Sequence, residues 1–430
     1  MAIDPTTMCE ILLGLGGVNL LEVVECQDDT IKVTIETREG RVPCPGCGSY
    51  AASKERRPAR LTDLTCFGRK VILIWNKRRL KCLEPTCDIS TFTEANPQIA
   101  GSNLRLTTRA AKWSVEQVGR LGRSVYEVSG DIGASWHAVN DAVIRLGRIL
   151  VDDPGRIREV KAIGLDETLM MRRGKFKKQI YSTQIVDVER GQLLDIVPGR
   201  KADKPKRWLE ERPDEWLHDI GYATLDLSGV YKSVYDEVIG HAVQIADPFH
   251  VVKTANSKLD ECRRRVQNET LLHRGRKGDP LYRSRRLLSM AHERLDEDSA
   301  KKLLELLATG DPRGDVTTAW HAKEAVRSLY QLDDITAAEE WLVEISADMR
   351  FPDNPREVKS LGRTLNRWKN QILAWHIAHF TNAGAEAMNN LIKRVKRTAF
   401  GFMSFTNYRI RSLLYAGGVN WALLKSINPY

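Results

Sequence analysis

The chain has 430 residues, enough for two to four domains and at least one large core. Its 42% hydrophobic and 28% charged residues describe a globular protein, and no apolar run approaches the ~18 residues that a membrane-spanning helix needs. Lys and Arg outnumber Asp and Glu by 66 to 56, a formal charge of +10, which favours a polyanionic partner with nucleic acid first.

Residues 1–40 read as a short helix followed by a hairpin. NLLEVVEC and TIKVTIETR are strand-like, and Gln27-Asp28-Asp29 makes the turn. The opening MAIDPTTMCEILLGLGG lacks a basic n-region, so no secretory signal is expected. Eight cysteines are too sparse for a disulfide scaffold, and a reducing cytoplasm is the expected compartment. PCPGCG places Cys44 and Cys47, and LKCLEPTC places Cys82 and Cys87. Two close pairs separated by a strand-rich segment are what one tetrahedral thiolate zinc site needs. Gly46 and Gly48 suit the first turn and Pro85 the second. The competing reading, free thiols in a small core, must explain both pairs separately. Cys9, Cys26, Cys66 and Cys262 have no near partner and are expected to be buried or inert. VILIWNKRRLKC alternates apolar and basic residues, as a strand with one exposed face would. Arg56, Arg57, Arg60, Arg69, Lys77, Arg78, Arg79 and Lys81 would then form a positive surface on this module.

Residues 100–150 read as helical. SVYEVSGDIGASWHAVNDAVIRLG has the pattern of a helix, a short turn at Gly133 and a second helix capped by Ser135. In a helix-turn-helix the second helix enters the major groove, and its exposed positions would include His137, Asn140 and Arg145. A generic pair of packed helices has the same pattern. DDPG at 152–155 is a linker.

From residue 160 the order is β-β-β-α-β-α-β and then helix, which predicts a mixed sheet flanked by helices. Asp166 lies at the polar end of the first strand (AIGLDET) and Asp226 at the end of the fourth (YATLDLSG). Neighbouring parallel strands can set two such carboxylates side by side, and converging carboxylates bind the divalent ions used in phosphoryl transfer. Aspartates at strand ends also cap helices and start turns. Asp247, in IADPFHVV beside His250, competes with Asp226 for the metal role, while Glu167 would point to the opposite face. Residues 254–350 are helical and charged and read as an insertion. In DSAKKLLELLATGDP, Asp298 or Ser299 would cap the start, and Gly310 and Pro312 would end the helix. NAGAEAMNNLIKRVKR (382–397) then sets one acid before four bases. The helix dipole accounts for such an order by itself. On a helix, however, Glu386, Asn390, Lys393 and Arg397 share one face, opposite a stripe of Met388, Leu391, Ile392 and Val395. That face would offer a metal ligand followed by a track for phosphates, with Lys396 nearby.

These motifs, in this order and over nearly the whole length, resemble the ISL3 family of bacterial insertion-sequence transposases, which carry a DDE catalytic triad. The resemblance implies a multidomain protein. A zinc ribbon (1–98) and a helix-turn-helix (99–155) would precede a ribonuclease-H-like mixed-sheet core (156–253). A helical insertion (254–365) would interrupt that core, which would resume with C-terminal helices (366–430). It places the triad on Asp166, Asp226 and Glu386 with two magnesium or manganese ions, and one structural zinc on Cys44, Cys47, Cys82 and Cys87. In such enzymes water first attacks a phosphodiester at the element end, and the freed 3′-hydroxyl then attacks target DNA, with no covalent protein–DNA intermediate. The implied partners are double-stranded DNA, as terminal inverted repeats and as target, and further copies of the chain in a dimer or larger synaptic assembly. The implied location is the bacterial cytoplasm at the nucleoid. Asn382 is followed by Ala383, where the family often shows Asn-Gly, with Gly384 one position later. The alternatives are a catalytically silent DNA-binding regulator and a nuclease of the same fold that does not join strands.

Overall fold

The computed structural model describes residues 14, 16–38, 40–273 and 275–427. The helix expected near the N-terminus and Cys9 lie outside them. The chain divides into two compact units, Met1–Arg158 with Asn390–Tyr430, and Glu159–Asn389.

The first unit is built on a sheet of order β1-β2-β4-β3, with β5 paired to β4. Its strands are β1 (Val18–Glu25), β2 (Thr30–Thr37), β3 (Ala52–Thr62), β4 (Lys70–Lys81) and β5 (Thr91–Thr93). The expected hairpin is β1–β2, and β4 lies parallel to β2. Strand β4 alternates as its sequence requires: Val71, Leu73 and Trp75 point into a core with Val33, Ile35, Leu61 and Ile99. Past Trp75 the buried positions change parity to Arg78 and Leu80. Arg78 therefore does not belong to the expected positive surface. It is buried, and its Nε donates to Glu94 Oε2 at 2.8 Å while its backbone N–H donates to Oε1 at 2.9 Å. A guanidinium removed from water must be paired, and Glu94 is that pair.

Helix α1 (Thr108–Val115) runs into a single π turn (Glu116–Arg120). Helix α2 (Val125–Ile132) opens with a capping box between Ser124 and Glu127 and ends on Gly133 in the left-handed region, φ 67°. Helix α3 (Trp136–Val151) is capped by Ser135, as its sequence suggests. Val125, Val128 and Ile132 bury with Val139, Val143 and Leu146.

The second unit carries a mixed sheet of order β10-β9-β6-β7-β8. Strands β6 (Ala162–Arg173), β7 (Lys178–Asp187) and β8 (Gln192–Pro198) form an antiparallel meander. Strands β9 (Tyr222–Leu225) and β10 (Val243–Ala246) add parallel to the open side of β6. Three helices intervene: α4 (Asp203–Glu210), the unforeseen α5 (Asp214–His218) and α6 (Gly229–Val238). Helix α7 (Pro248–Leu271) follows, then α8 (Pro280–Ser289), α9 (Glu297–Gly310), α10 (Asp315–Ser328), α11 (Ile335–Asp348) and α12 (Arg356–Arg367). Helix α9 begins earlier than expected. Asp296 is its cap, accepting from the Ser299 backbone N–H at 2.8 Å, so Asp298 and Ser299 sit inside the first turn. Arg265 ties three of these helices together by donating to both Glu357 oxygens and to Asp315 at 2.9–3.0 Å. After short helices α13 (Lys369–Leu373) and α14 (Trp375–Ala378), α15 (Ala383–Thr398) carries Glu386. Helix α16 (Phe405–Ala416) lies in the first unit.

Candidate active site and metal centre

The four paired cysteines come together. Their sulfurs all lie within 4.8 Å of one another, with Cys44 and Cys87 at 3.8 Å and Cys47 and Cys82 at 3.5 Å. A tetrahedron of thiolates at the usual zinc–sulfur distance has edges of about 3.8 Å, and the two closest sulfur pairs lie near that length, so the cluster suits zinc. The turns are held by backbone bonds from Gly48 N–H to the Cys44 carbonyl (2.9 Å) and from Cys87 N–H to the Glu84 carbonyl (3.2 Å). Gly46 is required by close approach, since a Cβ there would sit 3.2 Å from Cys87 Sγ and 3.1 Å from Ile89 Cδ1. The thiols differ in acidity. Hydrogen bonding from the Ser49 backbone pulls Cys47 down to about 7. Cys82 is also pulled down, by the Glu84 backbone N–H, but burial and the facing thiols push it up to about 12. Four thiolates cannot coexist there without a cation, so metal uptake must displace protons. Cys26 and Cys66 are half-buried and Cys262 is buried.

The acidic site lies wholly in the second unit and starts from register. Ala162 faces Tyr222 and Gly164 faces Thr224 across the parallel β6–β9 pair. Two residues past the last pair lie Asp166, still within β6, and Asp226, just after β9, close enough for the charge of Asp226 to act on Asp166. Burial pushes the Asp166 carboxyl up to about 6. The Asp226 charge adds to that push, while the Glu167 backbone N–H, His250 and Asn389 pull it down. Asp226 Oδ1 is buried with no hydrogen-bond partner in the protein.

Asp247 is occupied otherwise. It is 3% exposed. Its Oδ2 caps α7 by accepting from the His250 backbone N–H at 3.2 Å, and its Oδ1 accepts from the Asn382 backbone N–H at 2.9 Å. It fastens the start of α15 to the sheet. Asn382 Oδ1 accepts from Thr224 Oγ1 at 3.2 Å. Gly384 permits this docking, because a Cβ there would lie 2.9 Å from the Val188 carbonyl oxygen and 3.0 Å from Val188 Cα. One turn on, Glu386 Oε1 lies 3.4 Å from His250 Nε2. Among the described residues, the three acids do not form a cluster within 4.8 Å of one another. Asp166 and Asp226 interact, and Glu386 reaches His250 beside them.

The helical period from Glu386 points to Asn390, but the amide at the acid is its neighbour Asn389. Asn389 Nδ2 donates to Asp166 Oδ2. Its Oδ1 accepts from Thr168 Oγ1, which accepts in turn from Gln184 Nε2. Asp166, Thr168 and Gln184 share one sheet face, because Asp166 pairs across to Gln184 and Thr168 to Ser182. Gln184, Thr168 and Asn389 are all buried. The signal available in the sequence was spacing: Asn389 is three residues from Glu386 and aligns with the buried stripe of Ala385, Met388 and Ile392.

The remaining sites separate by exposure. His137 and Arg145 are exposed on α3, and Arg145 donates to the Ser102 carbonyl at 3.1 Å. Asn140 is buried, contrary to expectation, because α3 turns that position inward with Val139 and Val143. Arg79 is half-buried and donates to Thr91 Oγ1 at 2.8 Å. Asn390, Lys393 and Arg397 are exposed, and Lys396 is half-buried.

Residues 163–412 match a family described as a transposase, of the DDE type named ISL3. Residues 40–87 match the zinc-finger of transposase IS204/IS1001/IS1096/IS1165. The transposase for insertion sequence element IS1001 of Bordetella parapertussis is 23% identical over 402 residues, which are 90% of this chain and 91% of that one. The transposase for insertion sequence element IS1557 of Mycobacterium tuberculosis is 27% identical over 294 residues, 63% of each chain. No helix among the described residues is long and apolar enough to cross a membrane.

Proposed function

The chain belongs to the ISL3 family of DDE transposases, and we propose from that premise that Asp166, Asp226 and Glu386 are the residues with which it cuts and joins DNA. The observation that carries this is the electrostatic proximity of Asp166, on β6, to Asp226, just past the end of β9, with Glu386 on a helix tied to the same sheet by Asp247 and Asn389. The strand order, an antiparallel meander extended by two parallel strands on its first member, supports a ribonuclease-H-like core. The long helical stretch before α15 supports an insertion in it, and the domain boundaries given above follow from that reading.

Two magnesium or manganese ions, when bound, would neutralise charge on the attacking and leaving oxygens. The donor set fits them: few carboxylates, with an orphaned Asp226 oxygen, suit hard ions that keep water and phosphate oxygens as ligands. Asp226 is preferred to Asp247 as second ligand because both Asp247 oxygens are engaged. Asn389 orients Asp166. In the first step a water oxygen bonds to phosphorus at the element end and the 3′-oxygen leaves. In the second the freed 3′-hydroxyl bonds to a target phosphorus and displaces the target strand's own 3′-oxygen.

The cysteine cluster is the structural zinc site of the ribbon. The paired helices α2 and α3 act as a helix-turn-helix, with His137 and Arg145 toward DNA. Arg79, Asn390, Lys393, Lys396 and Arg397 contact its backbone, and two copies of the chain hold two element ends. Labelled element-end DNA incubated with purified protein and magnesium tests this. Asp166→Asn, Asp226→Asn and Glu386→Gln should each abolish cleavage and leave binding of element ends nearly intact. Full cleavage by any of them removes that residue from the triad. Cleavage without joining by the wild type would favour a nuclease, and binding alone a regulator.

A further inference from the structure

A cavity of about 520 Å³ lies in the second unit against Asp226, lined also by Glu167, Arg200, Lys201, Ser228 and Tyr231. Its basic rim is the loop that follows β8. Gly199, at φ 89°, turns the chain there, and its carbonyl accepts from Thr183 Oγ1 at 2.9 Å, which pins the loop to the sheet. The Tyr231 hydroxyl, 3.3 Å from Thr183 Oγ1, secures the floor. Among the described residues neither Arg200 nor Lys201 forms an ion pair, although both line one cavity with Glu167 and Asp226. Arg200 instead rests 4.6 Å from the centroid of the Tyr181 ring, a contact that holds the guanidinium without neutralising it.

We infer that this cavity receives one unpaired nucleotide of the strand being cut, with its phosphate held by Arg200 and Lys201. The inference rests on the reading of Asp226 as part of the cutting site. Volume selects the ligand. About 520 Å³ falls within the ~300–1,000 Å³ of small-molecule sites and admits a nucleotide, whereas a duplex is far too wide. Charge selects its orientation. The acids repel a phosphodiester, and the two cations without ion-pair partners offer it the favourable contact. Hydroxyls of Ser228 and Ser233 on the walls offer hydrogen bonds to sugar and base edges. A nucleotide must unstack to enter, at a cost of a few kcal/mol, which the two charged contacts offset.

The test uses the full, zinc-loaded chain and duplex element ends with 2-aminopurine at successive positions around the cut, without magnesium or manganese so that binding is read without cleavage. One position should brighten when the wild type binds. Arg200→Gln with Lys201→Gln should abolish that rise and weaken binding about tenfold. Both side chains are exposed, and an unchanged melting temperature verifies that the fold persists. A neutral methylphosphonate at the adjoining phosphate should weaken the wild type by a similar factor and the double variant little. No brightening at any position, or brightening and affinity in the double variant equal to the wild type, overturns the inference. Asp226→Asn separates the two readings: it should keep the fluorescence rise and lose cleavage. Retained cleavage in that variant would remove Asp226 from the triad without touching the fluorescence result.

Discussion

Replacing Asp166 with Asn should make the metal-free protein more stable while abolishing cleavage. Burial raises the Asp166 carboxyl to about 6 from an ordinary 3.8. The folded state therefore holds a proton more tightly than the unfolded chain, and ionised Asp166 destabilises the fold. A shift of this size corresponds to about 3 kcal/mol at most. Asparagine is neutral and nearly isosteric, and it still accepts from Asn389. Its own NH₂ then faces the Glu167 backbone N–H, which costs about 1 kcal/mol, leaving a net gain of about 1–2 kcal/mol. In a unit of this size each kcal/mol is worth ~2–4 °C. The sign with pH is fixed: the gain is full above the folded value of about 6, declines as the pH falls, and is gone below the ordinary 3.8. Thermal melting of the zinc-loaded protein without magnesium or manganese, between pH 4 and 8, measures it. Manganese should raise the melting temperature of the wild type but not of the variant. A variant no more stable than the wild type at pH 7.5, or a gain that does not change with pH, refutes the reasoning.

Cys44→Ser with Cys47→Ser should release zinc and weaken DNA binding, and zinc uptake by the chelated wild type should release protons, since Cys82 is protonated at neutral pH in the free cluster; unchanged zinc content on elemental analysis counts against the ribbon. Lys393→Gln with Arg397→Gln should lower the slope of log binding constant against log salt by about 1.8, the value for two lost phosphate contacts. An unaltered slope would show that this face does not meet DNA. Gly384→Ala drives a Cβ into the Val188 backbone, so it should cost about 1–3 kcal/mol and reduce cleavage more than binding, as read by melting and by band shift. Thr168→Val breaks the chain from Gln184 to Asn389 and should weaken manganese binding measured by calorimetry; wild-type affinity would leave the chain a packing feature only.

Much of this was legible locally. The pairing of cysteines by turns, the Ser124 and Ser135 caps, and the strand-end position of Asp226 all depend on neighbours within a few residues. Asp166 does not end its strand as expected: β6 continues to Arg173, because β7 pairs with it along that length. What was misread depended on distant partners. Arg78 looked like surface charge until Glu94 covered it. Asn140 looked like a base-reading amide until the packing of α3 turned it inward. Asp296 rather than Asp298 or Ser299 caps α9: all three residues are good caps in isolation, and local sequence does not rank them.

The sequence alone determined the kinds of element and the chemistry available to each, because hydrophobic period, turn residues and ligand spacing are short-range properties of the chain. Tertiary structure decided between equals. Asp226 and Asp247 end adjacent strands with similar motifs, and only the arrival of Asn382, 135 residues later, engages one and leaves the other with a free oxygen. Asn389 and Asn390 are consecutive and alike, and only the direction in which the docked helix presents them sets one on Asp166 and the other in solvent. The physical reason is the same in both cases. A side chain's role follows from which of its polar atoms are already satisfied, and partners distant in sequence meet only when the chain has folded.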